Sequence, residues 1–428
     1  MNYNESSYLQ QIAELGEMQS VVCTENIVTV EGAKLLPKGA RINRQVIDRL
    51  LQHKLLKPID FTTHIEDAVD NDALIALGRS LMERTTEMGT LIRMMRSDTF
   101  IEQSCKRIHL ELPIQNKLTV AQKLRPELLE HSLRVALAIT IVGEELGLPE
   151  KELQVLATAG LLHDIGELHL GVGDLPLEKN LDLEHWQQVR SHPLVGATIL
   201  SQFPAYTPHV SRAVQEHHER QDGSGYPQGL KAIRISRAGR LLSFTEMAIG
   251  ALRKYTLRQL NTIIKTNLDA LDPQPVAIFL NALHLLESSG QHKAAEVRTK
   301  DLSALFEMIA KLIIAAEKIA LDRTAEQKAA EPCLIDSAMQ KFNQALRRAG
   351  FDINNVPASM AMIGDDTESL LELEELLQET LFQLRQMLLE MQRRTSQASS
   401  NTTDRKAIEQ WIKEAEQNLE TATRLLIG

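Results

Sequence analysis

The hydrophobic and polar positions along this chain of 428 residues repeat mostly at the three- and four-residue steps of amphipathic helices. The apolar run from Leu156 to Leu162 predicts a buried helix, and residues 66–96 predict one long helix with an apolar face. That face comprises Ala68, Leu74, Leu77, Leu81, Met88, Leu91 and Met94. The pattern therefore predicts a mainly α-helical protein.

The first 65 residues are the exception, because strand-type stretches occur there. Val21–Cys23 and Ile27–Val30 precede a turn at Glu31-Gly32, and Leu55–Ile59 predicts a further short strand. A short helix lies between them and carries Val46, Ile47, Leu50 and Leu51. We expect a small α/β module at residues 1–65 that serves packing or dimerisation or, alternatively, senses a ligand.

Beyond residue 290 the pattern again predicts helices. Asp301 can cap the first, and a second runs from Ile335 to Arg348 and ends at Gly350. The strongest amphipathic stretch follows, with apolar steps that alternate between three and four residues, and it predicts a coiled-coil-like helix at 366–393. A polar linker at 396–403 leads to a last helix. We interpret this region as a dimerisation or partner-docking bundle, or else as a bundle packed on the rest of its own chain.

Composition and charge exclude several classes of protein. The formal net charge of −10 argues against binding a nucleic acid polymer, which requires a basic surface. The three cysteines, Cys23, Cys105 and Cys333, are far apart and predict neither disulfides nor a cysteine metal site. The N-terminus lacks the features of a signal peptide, and no apolar run approaches the ~18 residues of a membrane span. We therefore expect a cytoplasmic protein.

The stretch from His217 to Pro227 is the most informative part of the chain. Two adjacent histidines, His217 and His218, point in different directions if they lie on a helix, so they can reach two different metal ions. The turn that follows contains Gly223 and Gly225, which allow backbone to approach a ligand closely. By itself, such a pair is more often a helix end or a surface patch.

Three further motifs supply imidazole and carboxylate groups: His131 in a helical pattern, His163-Asp164-Ile165-Gly166, and Ser191-His192-Pro193. Each alone could be an ordinary helix residue or a cap. Together they offer the ligands expected for iron, manganese, zinc or nickel. They predict a two-metal cage, which clamps a phosphoryl group and generates hydroxide at neutral pH. Three histidines outside the motifs are expected to be surface or structural: His169, His185 and His209.

These motifs, in this order and at separations of 32, 29 and 25 residues from His131 to His217, resemble the HD-GYP family. This family is the cyclic di-GMP phosphodiesterase branch of the HD metal-dependent phosphohydrolases. The resemblance covers roughly residues 110–290. It implies a central HD-type helical bundle that holds two divalent metal ions and hydrolyses cyclic di-GMP to pGpG or GMP. The ions would be iron or manganese, with zinc, nickel or magnesium as alternatives.

The resemblance also implies roles for individual residues. The implied metal ligands are His131, His163, Asp164, His192, His217, His218 and Glu246. The implied catalytic residues are His163, Asp164 and Glu167, and the implied substrate-binding residues are Glu219, Asp222, Gly225, Tyr226 and Pro227.

Two positions depart from the family pattern. Glu167 stands where the family has a lysine that is expected to touch substrate phosphate or the metal-bound groups. Replacing lysine by glutamate changes the local charge by two units. Each unit interacts with another unit charge about 5 Å away by roughly 3 kcal/mol at an effective dielectric constant of about 20. Glu246 replaces the family aspartate and adds a methylene. An alternative function is therefore a catalytically degenerate protein that binds cyclic di-GMP without turnover and acts as an effector or interaction scaffold.

The sequence as a whole predicts four segments. They are the module at 1–65, a connecting helix at 66–109, the HD-GYP domain at 110–290 and a helical C-terminal region at 291–428. Besides cyclic di-GMP, we expect diguanylate cyclase proteins of the GGDEF type and a second copy of this chain as partners. A third interpretation, an HD phosphohydrolase that acts on another nucleotide, is disfavoured by the Gly-Tyr-Pro turn.

Overall fold

Helices account for most of the computed structural model, and its strands form two small antiparallel pairs among the described residues. The predicted fold class is therefore confirmed. No described helix combines the length and the apolar composition needed to cross a membrane. The structure describes residues 5–84, 96–97, 99–170, 188–253, 255–288, 301–322, 334–395 and 403–427. They divide into two compact units, Met1–Lys254 with Asp269–Ser289, and Tyr255–Leu268 with Gly290–Gly428.

The N-terminal module contains two helices and both strand pairs. The helices are α1 (Glu5–Met18) and α2 (Arg44–Leu50), and the strands are β1 (Val21–Cys23), β2 (Ile27–Val28), β3 (Lys34–Leu36) and β4 (Thr63–Ile65). Strand β1 pairs with β4, and β2 pairs with β3. The strand predicted at Leu55–Ile59 is wrong: only Leu55 forms a bridge, to Thr29, before a 3₁₀ turn at Ile59–Phe61. Pro58 has no N–H to donate to a strand partner, which explains the break.

The connection after the module contains α3 (Asn71–Arg84) and α4 (Phe100–Lys106). Helix α3 begins later than the long helix predicted from residue 66, because the Asp70 carboxylate accepts a hydrogen bond from the Ala73 N–H at 2.8 Å and caps it there. Met88, Leu91 and Met94 of the predicted apolar face lie outside the described residues.

The central helices follow in the order of the chain. They are α5 (Leu112–Leu124), α6 (Pro126–Glu145), α7 (Glu150–Leu162), α8 (His192–Leu200), α9 (Pro208–Glu216), α10 (Arg237–Leu252), α11 (Leu257–Thr266) and α12 (Pro273–Ser288). Helices α6 and α7 pack closely, since a Cβ on Gly160 would lie 2.8 Å from the Cα of Ala136. Helix α11 belongs to the second compact unit. The four predicted segments otherwise stay a prediction.

The second unit has its own apolar core. Besides α11 it comprises α13 (Leu302–Asp322), α14 (Leu334–Arg348), α15 (Val356–Ile363), α16 (Thr367–Thr395) and α17 (Thr403–Ile427). The leucine stripe of α16, including Leu373, Leu377 and Leu384, is buried in this core. Trp411 of α17 is buried too and donates its indole N–H to the Leu312 carbonyl at 3.2 Å. The stripe therefore packs within the chain, and a coiled coil at 366–393 stays a prediction.

A buried cation joins the N-terminal module to the central helices. Lys117 of α5 is 1% exposed and forms an ion pair with Asp60 of the module. Its ammonium also lies 2.9 Å from Nε2 of His169 and 3.7 Å from the centre of the Tyr8 ring. His169 ends the 3₁₀ turn Ile165–His169, which directly follows Asp164. The module therefore contacts the segment that carries the His-Asp motif.

Loss of this cation should destabilise the protein. Lys117→Met leaves the Asp60 carboxylate buried without its cation, so we expect the free energy of unfolding to fall by about 3–5 kcal/mol, measured by urea unfolding and circular dichroism. Lys57→Met is a matched control, because Lys57 and Glu25 form a solvent-exposed ion pair that should contribute less than about 1 kcal/mol. Equal losses in the two variants would contradict this prediction.

Candidate metal centre

Asp164 lies at the centre of a group of buried histidines. Its Oδ2 atom is 2.9 Å from Nε2 of His163, and its Oδ1 atom is 3.3 Å from Nε2 of His192 and 3.5 Å from Nε2 of His217. The three imidazoles are at most 2% exposed. The histidine motifs that lie far apart in the sequence therefore converge on one carboxylate.

Each of these three imidazoles is held by the same type of hydrogen bond. Nδ1 faces the carbonyl oxygen three residues earlier, at 2.9 Å for His163 and at 2.6 Å for both His192 and His217. A carbonyl oxygen only accepts, so Nδ1 carries a proton, and in the neutral imidazole Nε2 then keeps its lone pair. This is the orientation in which proteins usually present a metal-ligating histidine.

The Nε2 atoms of two of these imidazoles face each other. The Nε2 atoms of His192 and His217 lie 3.1 Å apart, next to the Asp164 carboxylate. When both imidazoles are neutral with Nδ1 protonated, the two Nε2 lone pairs and the carboxylate repel one another at this distance, and a cation among them removes that repulsion. The donor set therefore fits a divalent metal ion.

Two groups of possible ligands share Asp164. One consists of Asp164, His192, His217 and His218, the other of His131, His163 and Asp164, and within each group the ligand atoms lie within 4.8 Å of one another. Nδ1 of His131 is buried and has no hydrogen-bond partner among the described residues. Burial lowers the pKa of His131 to about 3 and that of His217 to about 4, which keeps both neutral and able to bind a metal.

Glu246 of α10 is close to the first group. Its Oε2 atom lies 4.0 Å from Nδ1 of His218, and burial raises its pKa to about 7. The glutamate in place of the family aspartate thus still brings a carboxylate to the cluster. All seven predicted metal ligands lie in this region, and their roles stay a prediction.

The Gly-Tyr-Pro loop is fixed against this cluster by Glu219 and Gly225. The buried Glu219 carboxylate accepts hydrogen bonds from the N–H groups of Gln228 and Leu230, both at 2.7 Å. A Cβ on Gly225 would come within 2.4 Å of the His218 carbonyl oxygen, so the backbone approach there requires glycine. Glu219 holds the loop, and its predicted contact with substrate stays a prediction.

Tyr226 connects this loop to the cluster. Its ring stacks on the His218 imidazole with centroids 4.6 Å apart, and the Arg190 guanidinium lies 4.5 Å above the tyrosine ring. Asp222 accepts hydrogen bonds from the N–H and hydroxyl of Ser224 within the same turn. Pro227 follows Tyr226 in a cis peptide bond. Tyr226 is thus the predicted substrate-binding residue that directly contacts a histidine of the cluster.

Glu167 has a partner that the sequence did not indicate. Its Oε2 atom accepts a hydrogen bond from Nη2 of Arg125 at 2.7 Å, so the carboxylate is paired with a cation. Burial and the Asp164 carboxylate raise the pKa of Glu167, which places it within the electrostatic reach of the cluster. Among the other histidines, His169 is buried, His209 is exposed, and His185 lies outside the described residues.

Residues 115–271 match the family model of the HD domain. This part of the chain is an HD domain. The match contains all seven predicted ligands, and the resemblance to the HD-GYP type is confirmed by relatives that are cyclic dinucleotide phosphodiesterases. The sequence thus predicted the family of this segment correctly.

The HD domain is similar to parts of several known proteins. The 3'3'-cGAMP-specific phosphodiesterase 3 of Vibrio cholerae is 33% identical over 165 residues, which cover 36% of this chain and 35% of that protein. The cyclic di-GMP phosphodiesterase response regulator RpfG of Xanthomonas campestris is 32% identical over 108 residues, which cover 25% of this chain and 29% of that protein. Among solved structures, the HDG"Y"P protein Bd1817 of Bdellovibrio bacteriovorus aligns with 63% of this chain and 94% of that chain, at 14% identity and a TM-score of 0.35. The chain spans roughly a third of the length of these curated relatives.

Metal binding can be tested at the shared carboxylate. Asp164→Ala removes the one group common to both sets of ligands, so we expect the divalent metal retained after dialysis to fall at least about tenfold. Metal analysis by mass spectrometry measures this loss. His109→Ala is the control, since His109 is exposed and its imidazole contacts only Glu111 among the described side chains. Unchanged metal content in Asp164→Ala would argue against a metal centre here.

Proposed function

We propose that the HD domain hydrolyses a phosphodiester bond of a cyclic dinucleotide, with cyclic di-GMP as substrate and pGpG or GMP as product. The observation that carries the proposal is the sharing of Asp164 by two groups of buried or half-buried imidazoles. Such a shared carboxylate suits two adjacent cations, the arrangement that binds both sides of a phosphate undergoing displacement. The similarity to cyclic di-GMP and 3'3'-cGAMP phosphodiesterases supports this substrate class.

We propose two divalent metal ions as cofactors, iron or manganese. The proposed ligands are His131, His163, Asp164, His192, His217, His218 and Glu246, with Asp164 shared between the ions. Bound divalent ions supply Lewis acidity toward phosphoryl oxygens and lower the pKa of water to near neutrality. Imidazole and carboxylate donors without cysteine are consistent with these metals.

The side chains around the ligands would bind and orient the substrate. Burial of His163, His192 and His217 excludes water from the inner side of the cluster, and their Nδ1 hydrogen bonds keep the donor atoms aimed at one point. The turn Asp222–Pro227 would form the substrate mouth. Tyr226 offers an aromatic ring there, already stacked on His218.

A degenerate HD domain is the second candidate function. Glu167 favours it, because a carboxylate three residues from Asp164 adds negative charge where a phosphate must approach. The ion pair with Arg125 opposes it, since the guanidinium neutralises that charge locally. In this second function the protein would bind cyclic di-GMP without turnover and act as an effector or scaffold. Diguanylate cyclase partners, a homodimer and a cytoplasmic location stay predictions.

Turnover and binding of two nucleotides distinguish these functions. The protein loaded with Mn²⁺, or with Fe²⁺ under anaerobic conditions, is incubated with cyclic di-GMP or 3'3'-cGAMP, and products are separated by chromatography. We expect pGpG or GMP from cyclic di-GMP, and a loss on the order of a thousandfold in Asp164→Ala because both ligand groups lose a member.

The same experiment includes a control variant and two outcomes that would contradict the proposed hydrolysis. His109→Ala should retain wild-type turnover. Binding of cyclic di-GMP without turnover under both metals would support the effector function instead. Absence of both binding and turnover for both nucleotides would overturn the proposal.

A further inference from the structure

We propose that Arg125 binds the phosphate of the substrate and that Glu167 is the positioning residue that holds its guanidinium beside the metal centre. This inference deepens the proposed function and rests on it. It assigns a specificity role to a residue outside every motif considered above. It also gives a physical reason for an acidic side chain three residues after Asp164.

The backbone fixes both partners relative to the ligands. The N–H of Glu167 donates to the Asp164 carbonyl at 2.9 Å, so the 3₁₀ turn keeps Glu167 close to that ligand. Arg125 directly precedes α6, which carries His131 six residues later, or about 9 Å along the helix axis. The Arg125–Glu167 ion pair therefore lies between the two elements that present His131 and Asp164.

The guanidinium has hydrogen-bonding capacity left for a ligand. An arginine side chain has five N–H donors, and Glu167 accepts from Nη2. Within the described part of the chain, the Arg125 side chain has no other hydrogen bond or ion pair. Its side chain is 25% exposed, which leaves part of it open to solvent. A planar guanidinium fixed by a carboxylate on one side can bind phosphate oxygens through its remaining donors.

The charges of the cluster show why such a cation is needed. Asp164, Glu167 and Glu246 bring three carboxyl groups to one region, whereas a cyclic dinucleotide carries two negative phosphates. Bound metal ions offset the charge of their own ligands. Glu167 is not within the two groups of ligand atoms, so its charge requires a separate cation. Arg125 supplies it and has donors left for the substrate.

The competing explanation is that the ion pair only stabilises the packing of α6 against the 3₁₀ turn. Loss of such a structural ion pair would affect folding and metal content, because His131 and Asp164 would lose their relative position. A phosphate-binding role would instead raise KM for the dinucleotide while metal content and thermal stability stay at their wild-type values. The two explanations thus differ in which measurement changes.

The test compares Arg125→Gln and Arg125→Lys with the wild type in the metal-loaded protein. We expect Arg125→Gln to raise KM for cyclic di-GMP about ten- to hundredfold, the range for a lost charge-assisted hydrogen bond, with unchanged metal content. The KM of Arg125→Lys should lie between those of the wild type and Arg125→Gln, since lysine keeps the positive charge but lacks the planar guanidinium with its paired donors. If the wild type binds without turnover, the dissociation constant of cyclic di-GMP replaces KM as the readout.

Arg107→Gln is the matched control, because Arg107 is also partly buried and paired with glutamates, Glu144 and Glu150. It should leave KM unchanged. Wild-type KM in Arg125→Gln, or loss of its bound metal in parallel with activity, would overturn the inference while the proposed function stands. A wild type that neither binds nor hydrolyses cyclic di-GMP would overturn both.

Charge reversal tests the role of Glu167. Glu167→Lys places an ammonium against the Arg125 guanidinium and removes the carboxylate that holds it, so we expect kcat/KM to fall about tenfold or more. The exchanged pair Arg125→Glu with Glu167→Lys restores opposite charges but lacks the guanidinium that binds phosphate, so it should not recover that loss; recovery would support the purely structural explanation. A rise of activity in Glu167→Lys alone would overturn the role of Glu167 as the residue that positions Arg125.

Discussion

The hydrogen bond from a histidine Nδ1 to the carbonyl three residues earlier is the interaction on which this site depends. Those carbonyls belong to Gly160, Val189 and Val214, and the first and last lie in the final turns of α7 and α9. The last carbonyls of a helix have no partner within it. These two bonds therefore each satisfy a helix end, and all three fix which nitrogen of the imidazole faces Asp164.

Close backbone approach supplies the second requirement. Gly160 lets α7 approach α6, where His131 lies, and Gly166 lets the 3₁₀ turn approach α8, since a Cβ there would come within 2.2 Å of the His192 carbonyl oxygen. Glycine in the His-Asp-Ile-Gly motif is thus a packing requirement. Any side chain at position 166 would push apart the two elements that carry Asp164 and His192, and the imidazoles could no longer converge.

The sequence predicted the parts of this site that obey local rules. His131, His163, His192 and His217 were identified because each stands in a short local motif and the order and separations of these motifs resemble the HD-GYP family. The Arg125–Glu167 ion pair was missed, because its partners are 42 residues apart and Arg125 belongs to no motif. The buried Lys117 was missed for the same reason: its partner Asp60 comes from another module. Conversely, the strand expected at Leu55–Ile59 is broken by Pro58, a local signal that disfavours a strand because proline has no N–H to donate.

The 3₁₀ turn Ile165–His169 connects these two missed features. The turn follows Asp164 and carries Glu167. Helix α1 holds the backbone of this segment, because Gln11 donates to the Leu168 carbonyl at 2.7 Å and Ser7 donates to the carbonyl of Leu170, the residue after the turn, at 3.1 Å. A five-residue turn has few hydrogen bonds of its own, so its position depends on these contacts. Because the same turn sets the place of Asp164, the geometry of the candidate metal centre depends on the N-terminal module, and the two cannot be treated as independent parts.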